Sequence, residues 1–368
     1  MHSEQLVIAF AIRHILNTGN IEVIKRVRSG KDALSIFYEF ANAPMQQGLL
    51  NCGKVITPVE ALKIAEAELL KIEKQGYCVI SIWDCDYPQR LREIYDPPLM
   101  FYYRGDISIA DEKIVAIVGT RSCTSYGKKM ALDISRGLST AGIVIASGMA
   151  QGIDRFAHCG ALSSNGRTIA VLGCGLDIVY PRSNCDIYYS IKKSGLLLSE
   201  YPPGYPPFKQ NFPLRNRLIS GISDGVIIVE ASIRSGALIT AALALDQGRT
   251  VGAVPGNVTS RKSLGTNALI KNGAPLISSW QEAVEEIYGI DYLLKININQ
   301  APEIIETNDN KIGGNIEKIT SALLSGPLSA EQIASELGLN YSDVILSVVD
   351  MEFRGMISRR SDLLYELI

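Results

Sequence analysis

Ile114-Val115-Ala116-Ile117-Val118-Gly119-Thr120-Arg121-Ser122 opens the stretch that decides the fold, and Ser147-Gly148-Met149-Ala150-Gln151-Gly152-Ile153-Asp154 closes it. Between them a helical pattern runs from Tyr126 to Thr140, Gly142 ends it, and a second apolar run follows at Ile143–Ala146. Unbroken apolar runs, without polar alternation, mark strands buried on both faces, as in parallel sheets. Strand, glycine turn, helix, strand, glycine turn is a βαβ unit. Both turns fall at the carboxyl ends of strands, where open α/β sheets bind ligands. Helix starts there leave N–H groups free for anions. Arg121 adds a permanent charge whose fork matches phosphate oxygens. The competing reading is that the glycines only shape tight turns. Two such turns in succession, one carrying Arg, weigh against it.

The alternation continues outward. Thr168–Leu172 predicts a third strand, ending in Gly173-Cys174-Gly175, and Pro181-Arg182 begins another helix. Leu196–Ser199, Gly225–Val229 and Val251–Val254 predict three more strands, ending at Glu200, Glu230 and Pro255-Gly256, and Ala274–Ile277 a short last one. A sheet edge whose strand ends carry glycine and serine turns predicts a phosphate-lined crevice. Its candidate contacts are Gly119, Thr120, Arg121, Ser147, Gly148, Gly152, Gly173, Gly175, Arg234, Ser235 and Gly236.

Glu200-Tyr201-Pro202-Pro203-Gly204-Tyr205-Pro206-Pro207-Phe208 is too rich in proline for helix or ladder. Lys209, Asn211, Phe212, Arg215 and Arg217 follow, mixing cations, an amide and a ring. That mixture suits single-stranded nucleic acid, because cations track the backbone while a ring stacks on a base. The alternative is a covering loop whose aromatics pack on the sheet and whose arginines are solvated.

Toward the N-terminus, short helices are expected from about 4 to 45. Thr57-Pro58 caps a longer one running to about Lys74. Tyr77–Ser81 reads as a short strand, and the segment through Asp96-Pro97-Pro98 as a packed connector. Residues 291–315 lose the pattern and read as a linker. Beyond it Ile316–Leu324, Ala330–Leu337 and Tyr341–Arg354 read as three helices, followed by a β wing from Met356. Ser329 caps the second of these, with Gln332 completing a capping box. The domain boundaries expected are therefore 1–75, 76–290, 291–315 and 316–368.

The chain has 368 residues, enough for two to three domains, and a formal net charge of −2. A nucleic-acid site must then be a local patch, not a global basic field. Its seven cysteines include no C-x-x-C pair, which points to a reduced, cytoplasmic chain. The start lacks a basic leader, and Leu6–Ile12 is too short to span a bilayer. No metal cluster or cofactor fingerprint is evident.

Several motifs together resemble one bacterial family, the DNA-processing protein A family (DprA, also called Smf). They are Val118-Gly119-Thr120-Arg121, Ser147–Asp154 with Ala157-His158, and Ala170–Asp177 with Tyr180-Pro181. Ser199–Gly204, Phe212–Arg217 with Ile219-Ser220-Gly221, Glu230-Ala231 with Arg234–Thr240, and Val254-Pro255-Gly256 complete the set. The resemblance covers roughly 84 to 288; the helical N-terminus matches only loosely, without the family's usual Gly-x-Gly hairpin. It implies a Rossmann-like, doubly wound core with a small helical N-terminal (SAM-like) domain and a C-terminal winged-helix-like domain. It further implies single-stranded DNA as ligand, a homodimer, transfer of the strand to the recombinase RecA in natural transformation, and no enzymatic turnover. By the same resemblance Arg121, Arg182 and Lys209 meet phosphate, Phe212 meets a base, and Asn267, Leu269 and Ile270 form the dimer face.

The alternative is a nucleotide enzyme of the nucleoside-monophosphate phosphoribohydrolase type. That family's turn carries a catalytic Glu after its glycines, whereas Ser232–Thr240 has none. Glu230 is the only nearby acid, and a structural role on turn N–H groups suits it better. A dinucleotide-dependent dehydrogenase is disfavoured because the first turn lacks G-x-G-x-x-G. His158 reads as a packing residue, and Cys123 and Cys174 as incidental.

Overall fold

The computed structural model describes residues 4–15, 21–41, 57–300, 315–316, 318–339, 344, 347–348, 351–352, 356–360 and 364–367. They form two compact units, 1–295 and 296–368.

The first unit opens with helices α1 (Glu4–Ile15), α2 (Ile21–Arg28), α3 (Ala33–Ala41) and α4 (Pro58–Lys74). Thr57 and Glu60 form a reciprocal capping box at the start of α4, and Pro58 occupies its first turn. These helices share one hydrophobic core with the sheet, so residues 1–75 and the expected core form one compact unit here. Strand β1 (Cys78–Ser81), the short helix α5 (Gln89–Glu93) and strand β2 (Met100–Gly105) follow. Sequence reasoning missed β2.

The expected alternation then unfolds as β3 (Ile114–Val118), α6 (Ser125–Thr140), β4 (Val144–Ser147), α7 (Ile153–Ser163), β5 (Thr168–Leu172), α8 (Cys185–Ser194), β6 (Leu196–Ser199), α9 (Asn211–Ile222), β7 (Gly225–Ile228), α10 (Gly236–Asp246) and β8 (Thr250–Ala253). Helices α11 (Leu264–Lys271) and α12 (Trp280–Tyr288) follow, and α13 (Ile290–Gln300) begins in this unit. The eight strands lie in the order β1-β2-β6-β5-β4-β3-β7-β8. Strands β3 to β8 are parallel, and β1 and β2 add an antiparallel edge. Every residue of β3, β4, β5, β6 and β7 is buried, as continuous apolar runs require. The expected strand at Ala274–Ile277 reduces to a single bridge between Ala253 and Leu276.

This is a Rossmann-like, doubly wound sheet. From β3 the chain builds outward through β4, β5 and β6, then returns to place β7 and β8 on β3's other side. The strand order therefore reverses between β3 and β7, and the turns leaving these two strands open a crevice. The Thr120 N–H donates to the Glu230 carbonyl across it at 2.7 Å.

In the second unit α14 (Ala330–Leu337) carries the expected Ser329/Gln332 capping box. Strands β9 (Ile357–Arg359) and β10 (Tyr365–Leu367) pair antiparallel. Ile319, Leu323, Ile333, Val348, Met351 and Ile357 form its core. Of the expected helix at Tyr341–Arg354, only residues 344, 347, 348, 351 and 352 are described. Of the expected linker, 291–300 belongs to α13, and 301–314 lies outside the described residues.

Candidate nucleic-acid interface

Three elements bring the crevice together. Arg121 and Tyr180 stand exposed, on the turn after β3 and the loop after β5, and Phe212 lies half-buried on the first turn of α9. The Arg121 guanidinium lies over the Phe212 ring at 5.5 Å, and the Tyr180 ring is tilted against Phe212 with centroids 5.5 Å apart. Phe212 comes this close to the sheet because Gly173 has no side chain; a Cβ there would sit 3.0 Å from the ring. Arg121 and Phe212 together line two adjoining hollows of about 260 and 120 Å³. Lys209, Asn216, Ser235 and Thr240 border the larger, and Tyr180, Gly148 and Gln151 the smaller. Cation, ring and open volume at a strand-end crevice is the arrangement that single-stranded nucleic acid uses.

Beneath the ring lies a buried polar layer. Arg215 is almost fully buried, yet its guanidinium donates to the carbonyls of Gly148 (2.8 Å) and Val171. Burial lowers its pKa to about 10, against the opposing charge of Asp154. Burial likewise raises the Asp154 carboxyl, opposed by Arg215 and by the N–H groups of Ala150 and Gly148. Gly148 is small by necessity: a Cβ would fall 2.7 Å from Arg215 Nη2 and 2.8 Å from Asp154 Oδ2. His158 is fully buried and its pKa falls to about 3. Its Nδ1–H donates to the Thr168 hydroxyl at 2.7 Å, which itself donates to the Ile145 carbonyl. A neutral, enclosed imidazole is a packing residue, as expected.

The structure sorts the expected contacts into two groups. Arg121, Arg182, Lys209 and Arg234 are exposed, with Arg121 and Lys209 on the larger hollow and Arg182 beside Tyr180 and Pro181 of the smaller. Gly119 and Gly236 also border the larger hollow. Four residues differ from expectation, because their polar atoms are engaged inside the protein. Asn211 donates its amide to the Gly173 carbonyl at 2.9 Å, and Ser147 its hydroxyl to the Ile117 carbonyl. Arg215 holds the crevice floor. Arg217 points elsewhere, bridging Glu200 at 2.8 Å and Asp96 at 3.1 Å. Ser235 accepts the Ala237 N–H as the cap of α10, and Gly152, at φ +79°, fits under the Thr120 carbonyl. Gly175 donates to the Tyr205 carbonyl, bracing the proline-rich loop, in which Tyr201 stacks on Tyr205 at 4.9 Å.

Sequence reasoning passed over Tyr180 as a ring of the site; the Tyr-Pro pair after Gly173-Cys174-Gly175 was the available signal. Glu230, the acid just past β7, is buried. Its carboxylate accepts the Thr124 N–H at 2.9 Å and the Thr124 hydroxyl at 2.5 Å. The Cys123 thiol is pushed up by burial and Cys174 to about 11 for the same reason, so neither favours a thiolate. Among the described residues no group of His, Cys, Asp or Glu has the makings of a metal site, and no helix is long and apolar enough to cross a membrane.

These features make the core a Rossmann-like, doubly wound domain with an Arg–aromatic crevice at its switch point. Within it, residues 78–288 match the model of DNA recombination-mediator protein A, and the chain belongs to that family. It is 44% identical to DNA processing protein DprA of Streptococcus pneumoniae over 224 residues, covering 61% of this chain and 79% of that one. It is 34% identical to protein Smf of Escherichia coli over 300 residues, 80% and 79% of the two chains. The X-ray structure of the S. pneumoniae protein aligns with a TM-score of 0.62 at 34% identity, covering 76% of this chain and 96% of that one. A Helicobacter pylori DNA processing protein A, described for its single-stranded DNA binding mode, aligns at 0.53 and 34%, covering 60% and 96%.

Proposed function

We propose that this chain binds single-stranded DNA in the crevice between β3 and β7, and hands it to the recombinase RecA during DNA uptake and homologous recombination. The Arg121–Phe212–Tyr180 cluster carries the reading, since it offers one phosphate-seeking cation and two rings to a strand. The likeness to a protein described as binding single-stranded DNA supports it. Arg182, Lys209 and Arg234 extend the positive rim. The chain acts in the cytoplasm as a homodimer through α11, the second unit serves as a winged-helix-like accessory domain, and the core works by binding rather than turnover. Titrating labelled single strands, duplexes and mononucleotides at several salt concentrations tests this. Single strands bind tighter than duplexes, with a log–log salt slope of about −0.7 per phosphate contacted. Equal binding of both forms, or a flat salt response, contradicts it.

A further inference from the structure

Behind the turn that carries Arg121, a further hollow of about 520 Å³ opens between the start of α6 and the loop after β8. Thr124, Tyr126, Pro255, Asn257, Ser260 and Ser263 line it, with the engaged Glu230 at its base. Tyr126 dominates one wall. The residue is 44% exposed, yet its hydroxyl donates to the Pro255 carbonyl at 2.7 Å, which fixes the ring's orientation. A rigid, half-exposed ring has little entropy to lose when a flat ligand stacks on it. One cation stands on the rim: Lys262 lies on the loop between Ser260 and Ser263 of the lining. Lys128, two residues on from Tyr126, faces the other way, over the Phe156 ring at 5.0 Å. Asn257 Oδ1 accepts the N–H and hydroxyl of Thr259, so the loop opposite Tyr126 is held by its own bonds, and Val258 is 77% exposed.

The hollow thus shares a ring and base-sized space with the crevice, along the same segment that carries Arg121, with Lys262 on its rim loop. We infer that Tyr126 is a second stacking platform for the same single-stranded nucleic acid, with Lys262 meeting its phosphates. The inference rests on the reading that the crevice itself binds a strand. Continuity favours this occupant over a peptide, because the two hollows flank one turn, held by Thr120 and Thr124 on Glu230.

The test is a walk of single 2-aminopurine substitutions along oligothymidylates, read by fluorescence quenching and affinity. The wild-type protein quenches at two separated positions. Tyr126→Ala releases one and Phe212→Ala the other. Tyr126→Ala binds a short oligothymidylate normally and weakens a longer one roughly 5- to 150-fold, the range expected from losing one stacked base. Tyr126→Phe keeps the ring but frees it from Pro255, and weakens the longer strand less than Tyr126→Ala does. If Tyr126→Ala folds poorly, Lys262→Gln serves instead, lowering the salt slope for the longer strand alone. Wild-type behaviour of both variants at every length, alongside a defective Phe212→Ala, overturns the second platform and leaves the crevice standing. Equal losses at short and long lengths assign Tyr126 a structural role and also overturn it. Wild-type binding by Phe212→Ala and Arg121→Ala as well removes the crevice reading itself.

Discussion

The guanidinium of Arg121 rests 5.5 Å from the centre of the Phe212 ring, so the charge and the ring offered to a strand touch each other first. The contact separates two kinds of loss. Arg121→Ala removes charge-assisted bonds worth about 1.5–3 kcal/mol when well formed, and it lessens the salt slope. Phe212→Ala removes stacking worth about 1–3 kcal/mol and leaves the slope nearly intact. Because the residues touch, the double variant loses less than the sum of the singles. Salt-dependent anisotropy titrations on all four proteins, with melting temperatures alongside, check this. Early melting with unchanged affinity per folded molecule makes both residues structural.

Glu230 is committed to Thr124 by two hydrogen bonds at the start of α6, where a negative charge also meets the helix dipole. Glu230→Gln is therefore expected to lower stability by about 1–3 kcal/mol, through the loss of a charged acceptor from a buried N–H and hydroxyl. The purified wild-type protein incubated with AMP is expected to release no adenine. Catalytic release abolished by Glu230→Gln, with the melting temperature unchanged, reverses the assignment.

Residue patterns decide some features and leave others open, for physical reasons. Ile114–Val118 and Ile169–Leu172 are apolar throughout because both faces of a parallel strand are covered. Strand β2 escaped because Met100–Gly105 lies just after Pro97-Pro98 and pairs at an antiparallel edge with β1. Asn297 and Asn299 suggested a linker where α13 continues. Composition placed cations and a ring at 209–217 but not their directions. Asn211, Arg215, Leu218 and Ile222 are buried at i, i+4, i+7 and i+11, which is one face of α9. Reading that stretch as a helix would have turned Asn211 and Arg215 inward and left Phe212 and Asn216 toward the hollow.

The base of the N-terminal helices predicts a dependence on acid. Burial alone would raise the Glu68 carboxyl, but the His14 hydrogen bond at 2.9 Å and the charge and bond of Arg13 outweigh it and bring it down to about 2. A carboxyl lowered in the folded state contributes stability above its ordinary value near 4.5, and that contribution is lost as pH falls toward about 2. Glu68→Gln therefore lowers stability at neutral pH and flattens its decline over this acid window. Urea titrations at a series of pH values check it. Parallel wild-type and variant curves through the window contradict the pairing.

Helix α11 carries the proposed dimer face, and its three named residues have unequal claims. Asn267 spends its amide on Gly256, donating to the carbonyl at 2.9 Å and accepting the N–H at 3.2 Å. Leu269 packs against the main hydrophobic core. Ile270 is half-buried and has a weaker hold on the protein's own interior. An isologous interface needs apolar area that the single chain leaves uncovered, and Ile270 answers that need best. Ile270→Glu is expected to give a folded monomer, seen by sedimentation velocity with an unchanged far-ultraviolet spectrum. Asn267→Ala is expected to stay dimeric and lose about 1–2 kcal/mol of stability, because it frees the loop after β8. An unfolded Ile270→Glu protein makes that residue part of the core, and a folded dimer moves the interface off α11.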